Sequence, residues 1–189
     1  MTVRFGPFQL PTAATQLSAG GESNFPRFAI TSSVTMTSQL LRISFFRATK
    51  DETIATLRTS TTGTAAGATP SLVRWGIYEA DAAGTTFTLV ASTANDTALF
   101  SGTNTRYSKA LSATWNKQSG KIYGCALLVV TAAAAPTIAS PAAFVGSANE
   151  TLELPITYAS LAAQADLPAS LTSAGLSNAT GAPYCAMVP

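Results

Sequence analysis

An alternation of apolar and polar positions predicts a β-hairpin over residues 71–93. In its first half, Val73, Trp75 and Ile77 share one face, while the residues between them are of mixed character. The second half, residues 86–93, alternates in the same way after a short loop that contains an aspartate and a glycine. A period of two residues is typical of a strand, and the loop composition suits a hairpin connection. We therefore expect the rest of the chain to be arranged around this hairpin.

The same period recurs and predicts further strands on both sides of the hairpin. Their predicted ranges are 28–36 (irregular at residues 32 and 33), 39–48, 52–60, 106–114, 121–131 and 182–188. The strand over 121–131 is apolar on both faces, so it should be the most buried one. Residues 61–70 form a loop rich in glycine, alanine and threonine. Residues 136–180 are loop-rich, with room for a helical turn or two over 158–165.

This series of strands, with turn signals about every 8–12 residues, predicts an all-β fold: an antiparallel β-sandwich that is jelly-roll-like. The 189 residues suffice for one domain, which we place at 26–189. Residues 1–25 are predicted to form an extended N-terminal docking arm, because glycines and prolines interrupt any periodic face. Phe5, Phe8 and Leu10 on this arm are the candidate assembly contacts, since free tails are usually poorer in large apolar residues.

The chain carries few charges: 11% of its residues are charged, against about 25% in an average soluble domain. Such a surface suits coverage by neighbours or by copies of the chain, although a monomer with a threonine-rich β surface is the alternative. The net charge of +2, spread over scattered basic residues, argues against a nucleic-acid partner. The longest apolar run, which begins at Cys125, is far shorter than the roughly 20 residues that cross a bilayer, so we expect no membrane insertion. The N-terminal residues show no signal-peptide pattern, which favours synthesis in a cytoplasm.

Two cysteines do not make a disulfide framework. Cys125 alternates with large apolar residues in a predicted strand, so we interpret Cys125 and Cys185 as small buried hydrophobic residues. A bridge between them is the alternative, which a reducing cytoplasm disfavours.

Sequence motifs for catalysis are missing. The chain has no histidine, which excludes histidine-based triads and metal sites, and no nucleotide-binding or nucleophile-elbow motif appears. The two acids of a glycoside-cleaving pair are not expected to be adjacent in the sequence, but Asp51 and Glu52 are. Most other carboxylates lie in turns or loops. A Ca²⁺ site built from Asp96 or Glu150 with backbone carbonyls stays open, with solvated turn residues as the alternative. We therefore expect a protein that is not an enzyme and holds no cofactor.

Aromatic side chains on a β-sandwich can stack on sugar rings. Tyr78 is predicted to face away from Trp75, and Tyr107 and Trp115 lie in a less regular region. These features make Tyr78, Tyr107 and Trp115 the candidate glycan-stacking residues. The alternative for each is ordinary burial in the core.

Three stretches of the chain carry recognisable features: LVRWGIYEADAAGTTFTLVASTANDTALF, YSKALSATWNKQSGKIYGCALLVV and LPASLTSAGLSNATGAPYCAMVP. These features are an Arg-x-Gly-x-Tyr-like strand centre, a Leu-Val-Ala-Ser-Thr strand, an Asn-Asp-Thr turn, a Gly-x-x-Tyr-x-x-x-Leu-Leu-Val strand and a terminal Pro-Tyr. With them, the chain resembles a module of minor tail proteins from bacteriophages that infect actinobacteria. The resemblance covers residues 27–189. It rests on residues of a sandwich framework rather than on catalytic motifs.

The resemblance implies a virion structural protein, assembled in the host cytoplasm and displayed in several copies. A minor tail protein at or near the tail tip, attached through the N-terminal arm and touching cell-surface glycan, is the leading expectation. A capsid decoration protein that grips the major capsid lattice through the arm is the second, and a glycan-active enzyme is the third. The expected partners are other virion proteins and copies of the chain itself, with a trimer by analogy. The sequence shows no long fibre or collagen-like stalk, so tail and head locations both stay open.

Overall fold

The computed structural model describes residues 20–67, 69–142 and 158–189, and these residues are nearly all β. The strands of this part are β1 Glu22–Ser23, β2 Ser32–Thr35, β3 Leu41–Arg47, β4 Glu52–Ser60, β5 Leu72–Ala80, β6 Thr86–Ser92, β7 Arg106–Lys117, β8 Ile122–Val130, β9 Thr137–Ser140, β10 Tyr158–Leu161, β11 Ser170–Thr172, β12 Ser177–Asn178 and β13 Ala186–Val188. Two short 3₁₀ turns, Arg27–Ala29 and Ser173–Gly175, accompany them. Neither of these turns approaches the length of a membrane-spanning helix, and no helix of the described ranges could cross a bilayer.

Two main antiparallel sheets make up the body. The four-stranded sheet has the order β1-β13-β4-β7, and the seven-stranded sheet has the order β11-β6-β5-β8-β3-β10-β12. A small ribbon of β2 and β9 stands beside them. One of the sheets curls into a half-barrel. The prediction of an all-β antiparallel sandwich is confirmed.

The main core lies between the two sheets. The predicted hairpin forms β5 and β6, and its Trp75 and Ile77 point into this core with at most 2% of their surface exposed. Ile54 and Leu57 of β4 pack there from the four-stranded sheet. Trp75 and Ile77 are two residues apart, as expected for side chains on one face of a strand. Ile54 and Leu57 are three residues apart, and a register shift between Ile54 and Thr56 brings both into the same core.

The other face of the seven-stranded sheet is also covered. Ile43, Phe45, Tyr78 and Leu128 form a second apolar cluster with Leu171 of the C-terminal region. As predicted, β8 is buried on both faces: seven of its nine residues are buried, and its two faces contribute to the two clusters. A Cβ added at Gly124 of β8 would lie 2.5 Å from the Cδ1 of Ile43, so glycine permits this close packing.

The last residues of the predicted arm belong to the body instead. Glu22 and Ser23 form β1 and pair with Met187 and Ala186 of β13. Gly21 adopts a positive φ of 89°, and a Cβ there would lie 2.2 Å from the carbonyl oxygen of Met187. The arm as predicted therefore ends too late, because residues 20–25 are part of the sandwich.

Four further elements differ from their predictions. The closing strand predicted over 182–188 is shortened to β13, Ala186–Val188. The predicted strand over 28–36 is shortened to β2, with a 3₁₀ turn before it. Residues 158–161 form strand β10 rather than a helical turn, because they pair with β3. Strand β7 continues three residues beyond its predicted end at Thr114 and so includes Lys117.

Both cysteines are buried free thiols in the core. Burial, together with the neighbouring Cys185 thiol, raises the pKa of Cys125 well above its ordinary value. A protonated, desolvated thiol is a poor nucleophile. The structure thus places the two residues as the sequence interpretation expected.

Candidate functional site

The predicted assembly contacts Phe5, Phe8 and Leu10 lie outside the described residues, as does Glu150 of the proposed Ca²⁺ site. Asp96, the other residue named for that site, accepts hydrogen bonds from Lys109 Nζ at 2.8 Å and from the N–H of Ala98 at 3.2 Å. These donors lower the pKa of Asp96. Within the described ranges, no three His, Cys, Asp or Glu residues lie close enough to hold a metal ion together.

The predicted glycan-stacking residues are mostly turned inwards. Tyr78 is fully buried in the second apolar cluster, where its hydroxyl donates to the carbonyl of Pro168 at 2.9 Å and burial raises its pKa. Trp115 is buried against Tyr123, with an edge-on ring contact of 4.7 Å between centroids. The alternative of ordinary burial holds for both rings, because Trp115 lies in the core between the two sheets and Tyr78 is covered by Leu167 and Leu171. Neither ring face is free to stack on a sugar.

Tyr107 is the most accessible of the three predicted aromatic residues. It is half-buried, and its ring meets that of Phe100 edge-on at 5.3 Å. Its hydroxyl accepts a hydrogen bond from the N–H of Gly102 at 2.6 Å. These contacts hold the ring at the end of the 101–105 loop, which is a structural role.

The carboxylates of the described residues are all engaged in internal contacts. Two of the nine acidic residues, Glu150 and Glu153, lie outside the described ranges. The other seven accept hydrogen bonds from lysine, arginine or backbone donors: Glu22, Asp51, Glu52, Glu79, Asp81, Asp96 and Asp166. Asp81, for example, accepts from the N–H of Thr85, which lowers its pKa. Each of these acids therefore has a structural task in the loop or sheet where it lies.

Glu22, Lys50, Glu52 and Lys117 form a cluster at one end of the four-stranded sheet, which we call the buried ion cluster. Lys117 is 1% exposed, and its Nζ donates to Oε2 of Glu22, which is equally buried. The other oxygen of Glu22 accepts from the hydroxyl of Thr49 at 2.8 Å. A buried charge pair of this kind is stable only when hydrogen bonds occupy the remaining polar atoms.

Glu52 occupies the outer side of the buried ion cluster. Its Oε1 accepts from the N–H of Gly21 at 2.8 Å and from Lys50 Nζ at 2.9 Å. Its Oε2 accepts no hydrogen bond and lies 3.7 Å from Lys117 Nζ. Burial opposes the ionisation of Glu52, but the Lys50 and Gly21 donors outweigh it, so its pKa lies below the ordinary value. The cluster thus fastens β1 to β4 and β7 through charge.

A second cation, Arg42 of β3, lies in a different environment. It lines an open groove of about 270 Å³ between β3, the β2–β9 ribbon and the chain before β13, which we call the Arg42 groove. The groove is formed by Ser32–Thr35, Thr37, Arg42, Ser140, Pro141, Thr180 and Gly181. Arg42 donates from Nη1 to the carbonyl of Gly181 at 3.2 Å, while its buried Nε has no hydrogen-bond partner. Burial lowers the pKa of Arg42.

A third feature is the crevice where β6 and β7 diverge, with a volume of about 280 Å³. The two strands touch through a bridge between Thr93 and Leu111, and beyond it their edges separate. Val90 is exposed in this crevice at 38%. An open edge of this kind can accept another extended segment.

Sequence reasoning missed both cation environments. Lys117 lies two residues after Trp115, on the inward side of the same strand. A charged residue at an inward position is the one sequence signal that could have indicated a buried ion pair. Its partner Glu22 is 95 residues away in the chain, so no spacing links the two. Arg42 lies on the face of β3 opposite Ile43, as strand alternation requires, but the groove that it lines depends on segments far away in sequence.

No protein-family model matches this chain, and a search of curated proteins finds no significant similarity.

Proposed function

We propose that this protein is a structural component of a bacteriophage virion, a minor tail protein at or near the tail tip that acts by contact rather than by catalysis. The resemblance to tail proteins of actinobacterial phages supports the phage assignment. Its three stretches correspond to the strands that build the body: the β5–β6 hairpin, the β7–β8 hairpin and the C-terminal segment with β11–β13. They are thus the residues on which such a sandwich depends.

The observation that carries the contact role is the outer face of β7. This strand is an edge of the four-stranded sheet and runs for 12 residues. Its exposed side chains are mostly short: Ser108, Ala110, Ser112, Ala113, Thr114 and Asn116. Short side chains lose little rotamer entropy when a partner covers them, so such a face suits an interface. Since the described carboxylates are engaged internally, the same surface offers little for acid–base chemistry.

Labelling of virions with gold-conjugated antibodies against this protein tests the location. We expect label at the distal end of the tail. Label distributed over the head would replace the tail assignment with the capsid decoration alternative. Absence of the protein from purified virions by mass spectrometry would overturn both.

The attachment role of the N-terminal residues can be tested by deletion. A deletion of residues 1–25 would remove β1 and Glu22 and so disturb the fold itself. Deleting residues 1–19 leaves every described strand intact, and we expect this variant to fold but to be lost from virions. A triple variant with Phe5, Phe8 and Leu10 each changed to serine should show the same loss. Normal incorporation of both variants would show that docking does not use this segment.

The adhesion role is tested with host cell-wall polysaccharide. We expect the purified protein to co-sediment with the polysaccharide without releasing reducing ends. Release of reducing ends would instead show a glycan-active enzyme, and failure to co-sediment would leave a purely structural role.

A further inference from the structure

The Arg42 groove holds a positive charge without a negative one. Six ion pairs occur among the described residues, and none of them includes Arg42. None of the described residues that line the groove is acidic. The guanidinium is half-buried, so water solvates its charge only in part. Burying a charge in this way is unfavourable unless an opposite charge or further hydrogen bonds compensate.

Most of the donors of Arg42 are unused by the protein. A guanidinium carries five N–H donors, and Arg42 makes one hydrogen bond to the described residues, at Gly181. Its Nε is buried without a partner. Arg74, by contrast, donates to Asp166, Ser92 and the carbonyl of Thr93. Arg42 therefore keeps donors that an added acceptor could use.

The walls of the groove are rich in hydroxyl groups. Ser32, Ser33, Thr37 and Thr180 are exposed on it, and their hydroxyls form no hydrogen bond with the described residues. Hydroxyl groups both donate and accept, which matches the hydroxyl groups of a sugar ring. The volume of about 270 Å³ lies just below the range of pockets for drug-sized ligands, about 300–1,000 Å³. A single saccharide ring is the scale of ligand that such a groove admits.

We propose that the Arg42 groove is a binding site for an acidic sugar residue, with Arg42 pairing with the sugar carboxylate and the serine and threonine hydroxyls contacting the ring. A planar guanidinium suits a planar carboxylate, and the single positive charge balances a single negative one. This inference rests on the proposed adhesion role, for which it names the recognised chemical group. Under this proposal the Arg42 groove, and not the three aromatic residues, is the part of the molecule that contacts glycan.

The test titrates the full chain with glucuronate and follows backbone amide signals by NMR. We expect saturable shifts at Gly181 and Ser140. Glucose, which has a similar ring without a carboxylate, should bind at least about tenfold more weakly, the effect of losing one charged hydrogen bond. Inorganic phosphate tests the charge alone and should also bind more weakly. Equal binding of phosphate and glucuronate would overturn the assignment to a sugar, and no shift with glucuronate would overturn the site.

Substitutions locate the binding within the groove. Arg42→Gln and Thr180→Asp should each weaken glucuronate binding by about tenfold or more, since one removes the positive charge and the other places a negative charge opposite it. Thr180 is exposed, so its variant keeps the test valid if Arg42→Gln disturbs the fold. Arg106→Gln, which makes the same charge change at an exposed position of β7, is the matched control and should bind like the wild type. Unchanged binding in Thr180→Asp would place the ligand elsewhere.

The outcome is separable from that of the proposed function. Gold labelling and the deletion of residues 1–19 report where the protein sits in the virion, and they do not depend on Arg42. A virion protein that fails to bind glucuronate would retain its structural role, whereas glucuronate binding by a protein absent from virions would retain the site alone.

Discussion

Lys117 and Arg42 are both cations on strands of the sandwich, but their surroundings are opposite. Lys117 is almost completely buried and has two carboxylates around it, Glu22 and, at 3.7 Å, Glu52. Arg42 is half-buried and has no carboxylate partner among the described residues. The more deeply buried charge is the better compensated one, as the cost of removing an ion from water requires. The difference separates a charge that stabilises the fold from one that is free for a ligand.

The buried ion cluster should give the largest effect when it is broken. Glu22→Gln or Lys117→Met leaves the other charge buried without its main partner, and we expect each to lower the free energy of unfolding by about 3–5 kcal/mol. Urea denaturation measures the change. Lys109→Met, which breaks the partly exposed pair with Asp96, is the control and should cost about 1 kcal/mol or less.

The double variant Glu22→Gln/Lys117→Met sharpens this prediction. It removes both charges together, so most of the loss seen in the single variants should be recovered. If the losses in the double variant simply add, the two residues act independently and the cluster is not a charge pair in solution.

Acid should weaken the same cluster through Glu52. Its folded pKa is lowered from an ordinary value of 4.5, so its contribution to stability is complete above that pH and is lost as pH falls through the lower folded pKa. We expect the Glu52→Gln variant to lose less stability than the wild type between about pH 5 and pH 2. Unfolding midpoints across this range provide the measurement, and parallel curves for the two proteins would contradict the role of Glu52.

Arg42→Met should behave in the opposite way to Lys117→Met. It removes an incompletely compensated charge and keeps an apolar chain of similar length, so we expect the free energy of unfolding to stay within about 1 kcal/mol of the wild type. The same urea series measures it. A loss of several kcal/mol would show that Arg42 supports the fold in the way that Lys117 does.

Salt should have the smallest of these effects, and it should act differently on the buried ion cluster and on the Arg42 groove. Raising ionic strength from about 0.1 M to about 1 M shortens the Debye length from about 10 Å to about 3 Å and screens exposed charges far more than buried ones. We expect the stability difference between wild type and the Glu22→Gln/Lys117→Met variant to stay constant. Glucuronate binding at the Arg42 groove should weaken over the same range. Equal responses would mean that the two environments are less different than the structure indicates.

The strands of this fold were largely predictable because their signal is local. Strand β4 was predicted with the bounds that the structure shows, and β8 was predicted to be buried on both faces. Along β8 each residue and its neighbour but one share a face, so the sequence itself carries the pattern. In β4 a register shift between Ile54 and Thr56 breaks this alternation, and no local pattern in the sequence marks it.

What covers each face could not be predicted in the same way. Alternation placed Tyr78 opposite Trp75, but the burial of Tyr78 depends on Leu167 and Leu171, which lie in a loop-rich region without a periodic pattern. β1 could not be predicted among the irregular residues before Phe25, because a strand of two residues is too short to show a period. The two cation environments depend on contacts between distant segments, which is why neither was found.

The position of β13 has a consequence for how the molecule is made. This strand comes last in the described order, yet it lies inside the four-stranded sheet, between β1 and β4. During translation, β1 therefore cannot pair with β13 until residues 186–188 have left the ribosome. Closing so large a loop is entropically costly and slow. We expect the β4–β7 and β5–β6 pairs to form earlier on a nascent chain, and the pairing of β13 with β1 and β4 to complete the four-stranded sheet last.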